Sequence, residues 1–272
     1  MDKILNNTKF SYSRINTYDN CPQKYKIQYI DMVSSSNDSI EAYMGKRVHD
    51  VLEKLYSIKR LKHEYISFDR LMDMYNESWN RNWHNDIFVS RYKFDRSTYN
   101  KNTVYKNGLE CLKNYYNRFN QSGYFKEDVH AVEFEFVVNI GSHTFRGFID
   151  RVDKSKDGII SIIDYKTGSK PKGRIQAEND LQLAIYELAI KKKIKECKEI
   201  HLNLYYLRTD KILSFTHSQE KIDKIKENIL NKVDNIKSTK EFIARESILC
   251  DWCYFWEQCD VKVASNPSIR LL

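Results

Sequence analysis

Proline and glycine are scarce in this chain, three and eight residues respectively out of 272. With so few helix breakers and so few residues suited to positive φ, regular elements joined by short turns are expected rather than long irregular loops. No stretch approaches the roughly 20 apolar residues that a membrane-spanning helix requires, and the first thirty residues lack the apolar run of a secretory signal. A cytoplasmic protein with no membrane association is therefore expected. Also missing is a phosphate-binding G-x4-G-K-[S/T] motif, so any unwinding of a duplex would have to come from another protein. Neither an internal repeat nor a linker rich in Gly, Pro or Ser marks a boundary, and residues 1–272 read as one domain.

Hydrophobic residues make up 41% of the chain and aromatic residues 13%, enough to bury a sizeable core. Against 37 Asp and Glu stand 45 Lys and Arg, a formal charge of +8. That excess favours a polyanionic partner, and phosphate backbones are the commonest one.

Apolar residues recur at helical spacing over 43–60, 68–84, 103–120, 176–193 and 220–237. Ser11 or Ser13 is placed to cap a first short helix, and Pro22 suits the opening turn of a second. The polar stretch 34–39 reads as a loop. From residue 131 the period changes to two: Val132, Phe134 and Phe136 alternate with Glu133 and Glu135. A turn at Ile140-Gly141-Ser142 leads into a strand over 144–153, and a turn at Lys156-Asp157-Gly158 into a strand over 159–166. A further strand carries Ile200, Leu202, Leu204 and Tyr206 on one face, with 212–216 as its hairpin partner. Residues from about 60 to 125 are expected to form a helical insert packed on this core.

Of six cysteines, three close the chain as Cys250-x2-Cys253-x5-Cys259, which is ligand spacing. A tetrahedral thiolate site needs a fourth, and Cys21 is the natural candidate. In a reducing compartment close cysteines are metal ligands or redox groups more often than disulfides. Spacing alone accommodates zinc or an iron–sulfur cluster equally well. Cys111 and Cys197 fall outside the pattern and read as small buried apolar residues.

The segments Phe148-Ile-Asp150-Arg-Val-Asp and Ile162-Ile-Asp164-Tyr-Lys166-Thr-Gly168 hold the chemistry. Side chains two apart on a strand share a face, so Asp164 and Lys166 point one way, with Ile163 and Tyr165 opposite. Asp150 and Asp164 are equidistant from Asp157 at the turn. An antiparallel hairpin sets them against each other, with Cβ atoms about 4.5–5.5 Å apart. Two carboxylates that close repel unless a cation lies between them. A divalent ion such as Mg²⁺ or Mn²⁺ would serve, and so would ordinary pairing with Lys166 in a surface hairpin.

Six pieces, taken in order, resemble the PD-(D/E)XK nucleases of RecB/AddB type, including the stand-alone CRISPR-adaptation exonucleases and related phage proteins. They are Ser11-Tyr-Ser-Arg-Ile-Asn-Thr-Tyr-Asp-Asn-Cys21-Pro, Gly45-Lys-Arg-Val-His49, Gly147-Phe-Ile-Asp150-Arg-Val-Asp, Asp164-Tyr-Lys166-Thr-Gly, Gln182-Leu-Ala-Ile-Tyr186 and the closing cysteines. The resemblance implies an α/β, restriction-endonuclease-like core, a mixed central sheet flanked by helices, closed by an iron–sulfur segment over 240–260. It implies that His49, Asp150, Asp164 and the Tyr165 carbonyl hold a Mg²⁺ or Mn²⁺ ion, with Glu133 as a further ligand. It makes Lys166 the catalytic lysine, and Gln182 and Tyr186 a pair that contacts DNA or supports Lys166. Cys21, Cys250, Cys253 and Cys259 become ligands of a 4Fe–4S cluster. The expected activity is hydrolysis of DNA phosphodiesters, from ends or on single strands. Partners of helicase or integrase type are expected, in repair, recombination or CRISPR adaptation. A non-catalytic DNA-binding subunit and a zinc-stapled structural protein are the alternatives. The run Lys191, Lys192, Lys193, Lys195 and Lys198 could follow a DNA backbone or be a solvated helix face.

Overall fold

The computed structural model describes residues 8–62, 66–90, 99–119, 128–263 and 268–270. Ser11 caps α1 (Tyr12–Asn20), its side chain accepting from the Arg14 amide, and Pro22 opens α2 (Pro22–Tyr25), which runs on as a π turn over Lys26–Ile30. Then come β1 (Asp38–Ser39), α3 (Ile40–Lys62), α4 (Phe68–Asn82), β2 (Ile87–Ser90) and α5 (Lys101–Phe119). The central strands are β3 (Val129–Ile140), β4 (His143–Lys154) and β5 (Ile159–Lys166). After them lie α6 (Arg174–Glu178), α7 (Leu181–Lys193), β6 (Glu199–Tyr206), β7 (Lys211–Phe215), α8 (Gln219–Ser238) and β8 (Ser268–Arg270). The 63–65, 91–98 and 120–125 parts of the expected insert lie outside the described residues.

The main sheet has the order β3-β4-β5-β6-β7, parallel only between β5 and β6. Helices cover both faces, the mixed α/β arrangement of a restriction-endonuclease-like core. One core gathers Phe136, Ile149, Ile162 and Leu204 with helices α1, α7 and α8. The α8 stripe Ile222, Ile225, Ile229, Val233 and Ile236 is buried as its periodicity implies, at roughly 1.5–3 kcal/mol per fully buried side chain. On the other face, α3, α4 and α5 pack with Ile163, Tyr165 and Tyr205.

Two expectations about local structure need correction. The stretch 34–39 is not all loop, because Asp38–Ser39 pairs with β2 in a second, three-stranded sheet that β8 completes. Such pairing depends on strands remote in sequence, and two residues carry no periodicity. Residues 176–193 are not one helix. The buried Asp180 side chain accepts from the Gln182 and Leu183 amides at 2.8 and 3.1 Å, and this N-cap starts α7 afresh.

Candidate active site

The β4–β5 hairpin is symmetric about Asp157, with Val152 opposite Ile162 and Arg151 opposite Ile163. The next pair in that register is Asp150 and Asp164, and there the ladder ends as the strands part. Tyr165 donates its amide to Asp150 Oδ2 at 2.7 Å, so a side chain takes the place of the lost strand partner. On its other side β4 follows β3 in a register that sets Glu133 against Asp150, between the pairs Val132–Arg151 and Phe134–Ile149. Three acidic residues therefore stand in line across three neighbouring strands.

Glu133 has φ +45°, a left-handed conformation that costs a non-glycine residue about 1–2 kcal/mol. It turns the strand over. Phe134 packs against the first core and Val132 against the second, although strict alternation puts them on one face. Glu133 and Glu135 are equivalent by parity in the sequence, and the structure separates them. Glu133 joins the site, while exposed Glu135 pairs with Arg146 at 2.7 Å.

His49 reaches the site from α3. Its Nδ1 lies 3.5 Å from Asp150 Oδ1, and its ring meets Tyr165 edge-on at 5.9 Å. Gly45, one turn earlier, permits this approach of α3, since a Cβ there would sit 3.2 Å from Thr167 Oγ1. Ligand atoms of His49, Glu133 and Asp150 all fall within 4.8 Å of one another. Asp164 is not in that trio. It is 2% exposed and ion-paired, with Lys166 Nζ 2.5 Å from its Oδ2. That contact lacks hydrogen-bond geometry, leaving Oδ2 without a hydrogen-bond donor among the described residues.

The charged groups of the site shift one another's proton affinities. Burial and Asp150 push Glu133 up to about 7. Burial works to raise Asp150, yet His49, the Tyr165 amide and Lys166 outweigh it and hold it below the ordinary range. Burial and Asp150 push Asp164 up to about 6 against the pull of Lys166. For His49, burial opposes protonation, but Asp150, with Asp164 and Glu133 behind it, raises its pKa to about 9. One imidazole and clustered carboxylates form a donor set that suits a divalent ion such as Mn²⁺.

Lys166 donates to Gln182 Oε1 at 3.0 Å, and Gln182 Nε2 donates to the Tyr186 hydroxyl at 2.8 Å. The pair on α7 is thus joined to the lysine by hydrogen bonds. Burial disfavours the Lys166 charge, but Asp164, then Asp180 and Asp150, hold its pKa above that of an ordinary lysine. The expected lysine run lies elsewhere. Lys191, Lys192 and Lys193 end α7, roughly 14–17 Å along the helix from Gln182 at 1.5 Å per residue.

Sequence reasoning missed the polar layer beneath the site. Arg151, 1% exposed, donates to the hydroxyls of Tyr56 and Tyr115, both at 2.7 Å. It also donates to both oxygens of Asp153 at 2.7 and 2.6 Å. Tyr115 and Tyr165 share a 3.2 Å hydrogen bond. No local pattern distinguishes this arginine from one facing solvent. The cap formed by Asp180, which is ion-paired to Lys172 at 2.5 Å, had a signal in the Asp preceding an apolar run.

The four cysteines meet at the far end of the chain's path. Cys21 follows α1, Cys250 lies in a 3₁₀ turn over Ile248–Trp252 with Cys253 just after it, and Cys259 follows a second turn over Trp256–Gln258. All are free and half-buried, and all line one cavity of about 180 Å³. The Arg245 amide donates to Cys21 Sγ, and the Cys259 thiol to Gln23 Oε1, each at 3.4 Å. Burial, with Cys21 and Cys250 nearby, pushes the Cys253 thiol up. Cys111 is buried as expected, while Cys197 is only half-buried.

Comparison with known proteins finds relatives of this chain. Gene 69 protein of Mycobacterium phage D29 is 26% identical over 200 residues, 66% of this chain and 68% of the phage protein. The crystal structure of a "Putative exonuclease" from Eubacterium rectale aligns with a TM-score of 0.48 and 13% identity over 97% of this chain and 89% of that one. No described helix is long and apolar enough to cross a membrane. The model of the PD-(D/E)XK nuclease superfamily matches residues 9–260, and the chain belongs to that superfamily.

Proposed function

We propose that the protein is a divalent-metal-dependent deoxyribonuclease of RecB/AddB type, acting on DNA ends or single strands, with a 4Fe–4S cluster on Cys21, Cys250, Cys253 and Cys259. The observation that carries the nuclease reading is the convergence of His49, Glu133 and Asp150 beside the Asp164–Lys166 pair, where β4 and β5 part. His49, Glu133, Asp150 and Asp164, with the Tyr165 carbonyl, would hold Mn²⁺ or Mg²⁺. Such an ion, when bound, makes water more acidic and draws charge from a phosphate. Lys166, kept protonated by its acidic neighbours, cannot act as a base. It donates hydrogen bonds and places positive charge where the phosphate gains negative charge, while Gln182 fixes its direction. In the reaction the water oxygen bonds to phosphorus, one P–O ester bond breaks, and the leaving oxygen takes a proton. Degradation of end-labelled single- and double-stranded DNA by wild type and Lys166→Ala, with and without Mn²⁺, tests this function.

An ion at this site requires neutral His49 and ionised Glu133. With pKa values raised to about 9 and about 7, both lose protons on binding, so Mn²⁺ affinity is expected to rise with pH. The slope is about tenfold per unit between pH 7 and 9, where one proton is displaced. Below pH 7, where two are displaced, it approaches about 100-fold per unit. Calorimetric titration in buffers of different ionisation heat counts these protons. An affinity flat from pH 6 to 9 would remove both residues as ligands.

Support for iron over zinc comes from the resemblance of Cys21 and the Cys250-x2-Cys253-x5-Cys259 pattern to the iron–sulfur branch of RecB/AddB-type nucleases, since the spacing alone accommodates either metal. Lys24, Arg245 and Lys262 line the cysteine cavity and offset thiolate charge. Anaerobically purified protein is expected to be brown, with absorbance near about 400 nm, and Cys250→Ala to lose the colour and melt earlier. Colourless protein with one zinc per chain would overturn the cluster. Unwinding, where it is needed, falls to a helicase-type partner.

A further inference from the structure

Beside the site runs a groove of about 790 Å³ that shares only Gln182 and Tyr186 with the catalytic set. One wall is the segment Lys9–Arg14. It fills the gap left by β5, with the Phe10 amide donating to the Thr144 carbonyl and the Arg146 amide to the Phe10 carbonyl, both at 2.8 Å. The other wall is Arg146–Phe148 of β4, and the floor holds Gln182 and Tyr186. The groove therefore opens onto the residue that is hydrogen-bonded to Lys166.

Its rim carries an unusual feature for a strand: Phe148, two residues before Asp150, is 44% exposed. Gly147 and Ile149 face the core, Gly147 so closely that a Cβ would lie 2.6 Å from the Phe136 ring. The Phe148 ring consequently projects outward. The Arg146 guanidinium, held by Glu135, sits 5.5 Å from the ring centroid. An aromatic face next to a planar cation is a platform for a nucleobase. Across the groove, exposed Lys9 and Ser13 and half-buried Ser11 offer charge and hydrogen bonds to phosphates.

We propose that this groove is the path by which one nucleic-acid strand reaches Lys166, with Phe148 stacking on an unpaired base. The proposal rests on the nuclease reading, narrows its substrate to an unpaired strand and assigns Phe148 to that selection. A ring stacks on the face of a base within the strand only when that base has left the duplex, so the groove favours single strands or frayed ends over the duplex body. Charge complementarity alone would accept either form, and Phe148 is what discriminates.

The test is fluorescence anisotropy of a labelled 20-nucleotide thymidine oligomer and of a blunt duplex of the same length, with EDTA present to prevent cleavage. Wild type is expected to bind the single strand more tightly than the duplex. Phe148→Ala is expected to weaken single-strand binding between about 5-fold and 100-fold, Phe148→Leu to weaken it similarly, and Phe148→Trp to retain it. Circular dichroism confirms that each variant is folded. Unchanged single-strand affinity in both the Ala and Leu variants, equal affinity of wild type for strand and duplex, or no binding of either would overturn the proposal. A separate Mn²⁺-dependent cleavage assay tells whether the nuclease reading itself has failed.

Discussion

Lys166→Ala is expected to lower Mn²⁺-dependent DNA cleavage by at least about 100-fold, the loss typical of removing one preorganised charge from a reacting centre. The ammonium group is held between Asp164 at 2.5 Å and Gln182 at 3.0 Å. It is already oriented before substrate arrives, and no reorganisation is needed during the reaction. Alanine leaves that position without a donor and leaves Asp164 facing Asp150 with less compensation, which favours holding a metal ion or a proton. DNA binding should therefore persist while kcat collapses. Lys166→Arg keeps the charge but is too large and too differently branched to occupy the same place, and should recover only part of the rate. Single-turnover degradation of labelled DNA separates these outcomes. Undiminished cleavage by the alanine variant would remove Lys166 from the mechanism.

Arg151→Met is expected to produce the largest loss of stability, about 3–5 kcal/mol, because it strands the partners of a buried charge. Asp153 loses a bidentate partner, and the Tyr56 and Tyr115 hydroxyls lose their shared donor. The guanidinium also lies within 4.9 and 5.1 Å of the Tyr56 and Phe119 ring centroids, contacts that methionine fills only in part. For a chain of this size the melting temperature should fall by roughly 10 °C. Activity should fall too, since Tyr115 braces Tyr165, whose amide holds Asp150. Thermal melts by circular dichroism check the first effect. A variant melting with wild type would show that the network contributes no net stability.

The parts of this protein that a sequence states well are those with local causes. The β4–β5 hairpin was legible because a Gly-containing turn at 156–158 sets the register on both sides, and the observed pairs are symmetric about Asp157. The Asp164–Lys166 pair followed from parity on a strand without irregularity. The α8 stripe followed from helical period, because one face of that helix alone meets the core. Where the chain departs from a regular period, local inference stops. Asp180 restarts the helix over 176–193 through a side-chain cap, which the helical period does not show although an Asp before an apolar run signals it.

The amino-acid sequence by itself determined which residues are the candidates for chemistry: two strand aspartates, a lysine in phase with one of them, a histidine at helical spacing and four cysteines in ligand spacing. Only the tertiary structure decided how they combine. It chose Glu133 over Glu135, because a backbone turned to φ +45° reverses the strand's faces, which alternation along a chain cannot reveal. It set Asp164 with Lys166 instead of in the His49 trio, because the strands part at that pair. It also buried Arg151 among tyrosines contributed by two distant helices. Each decision depends on which remote segment arrives beside a residue, and that is a property of the folded chain rather than of its neighbours in sequence.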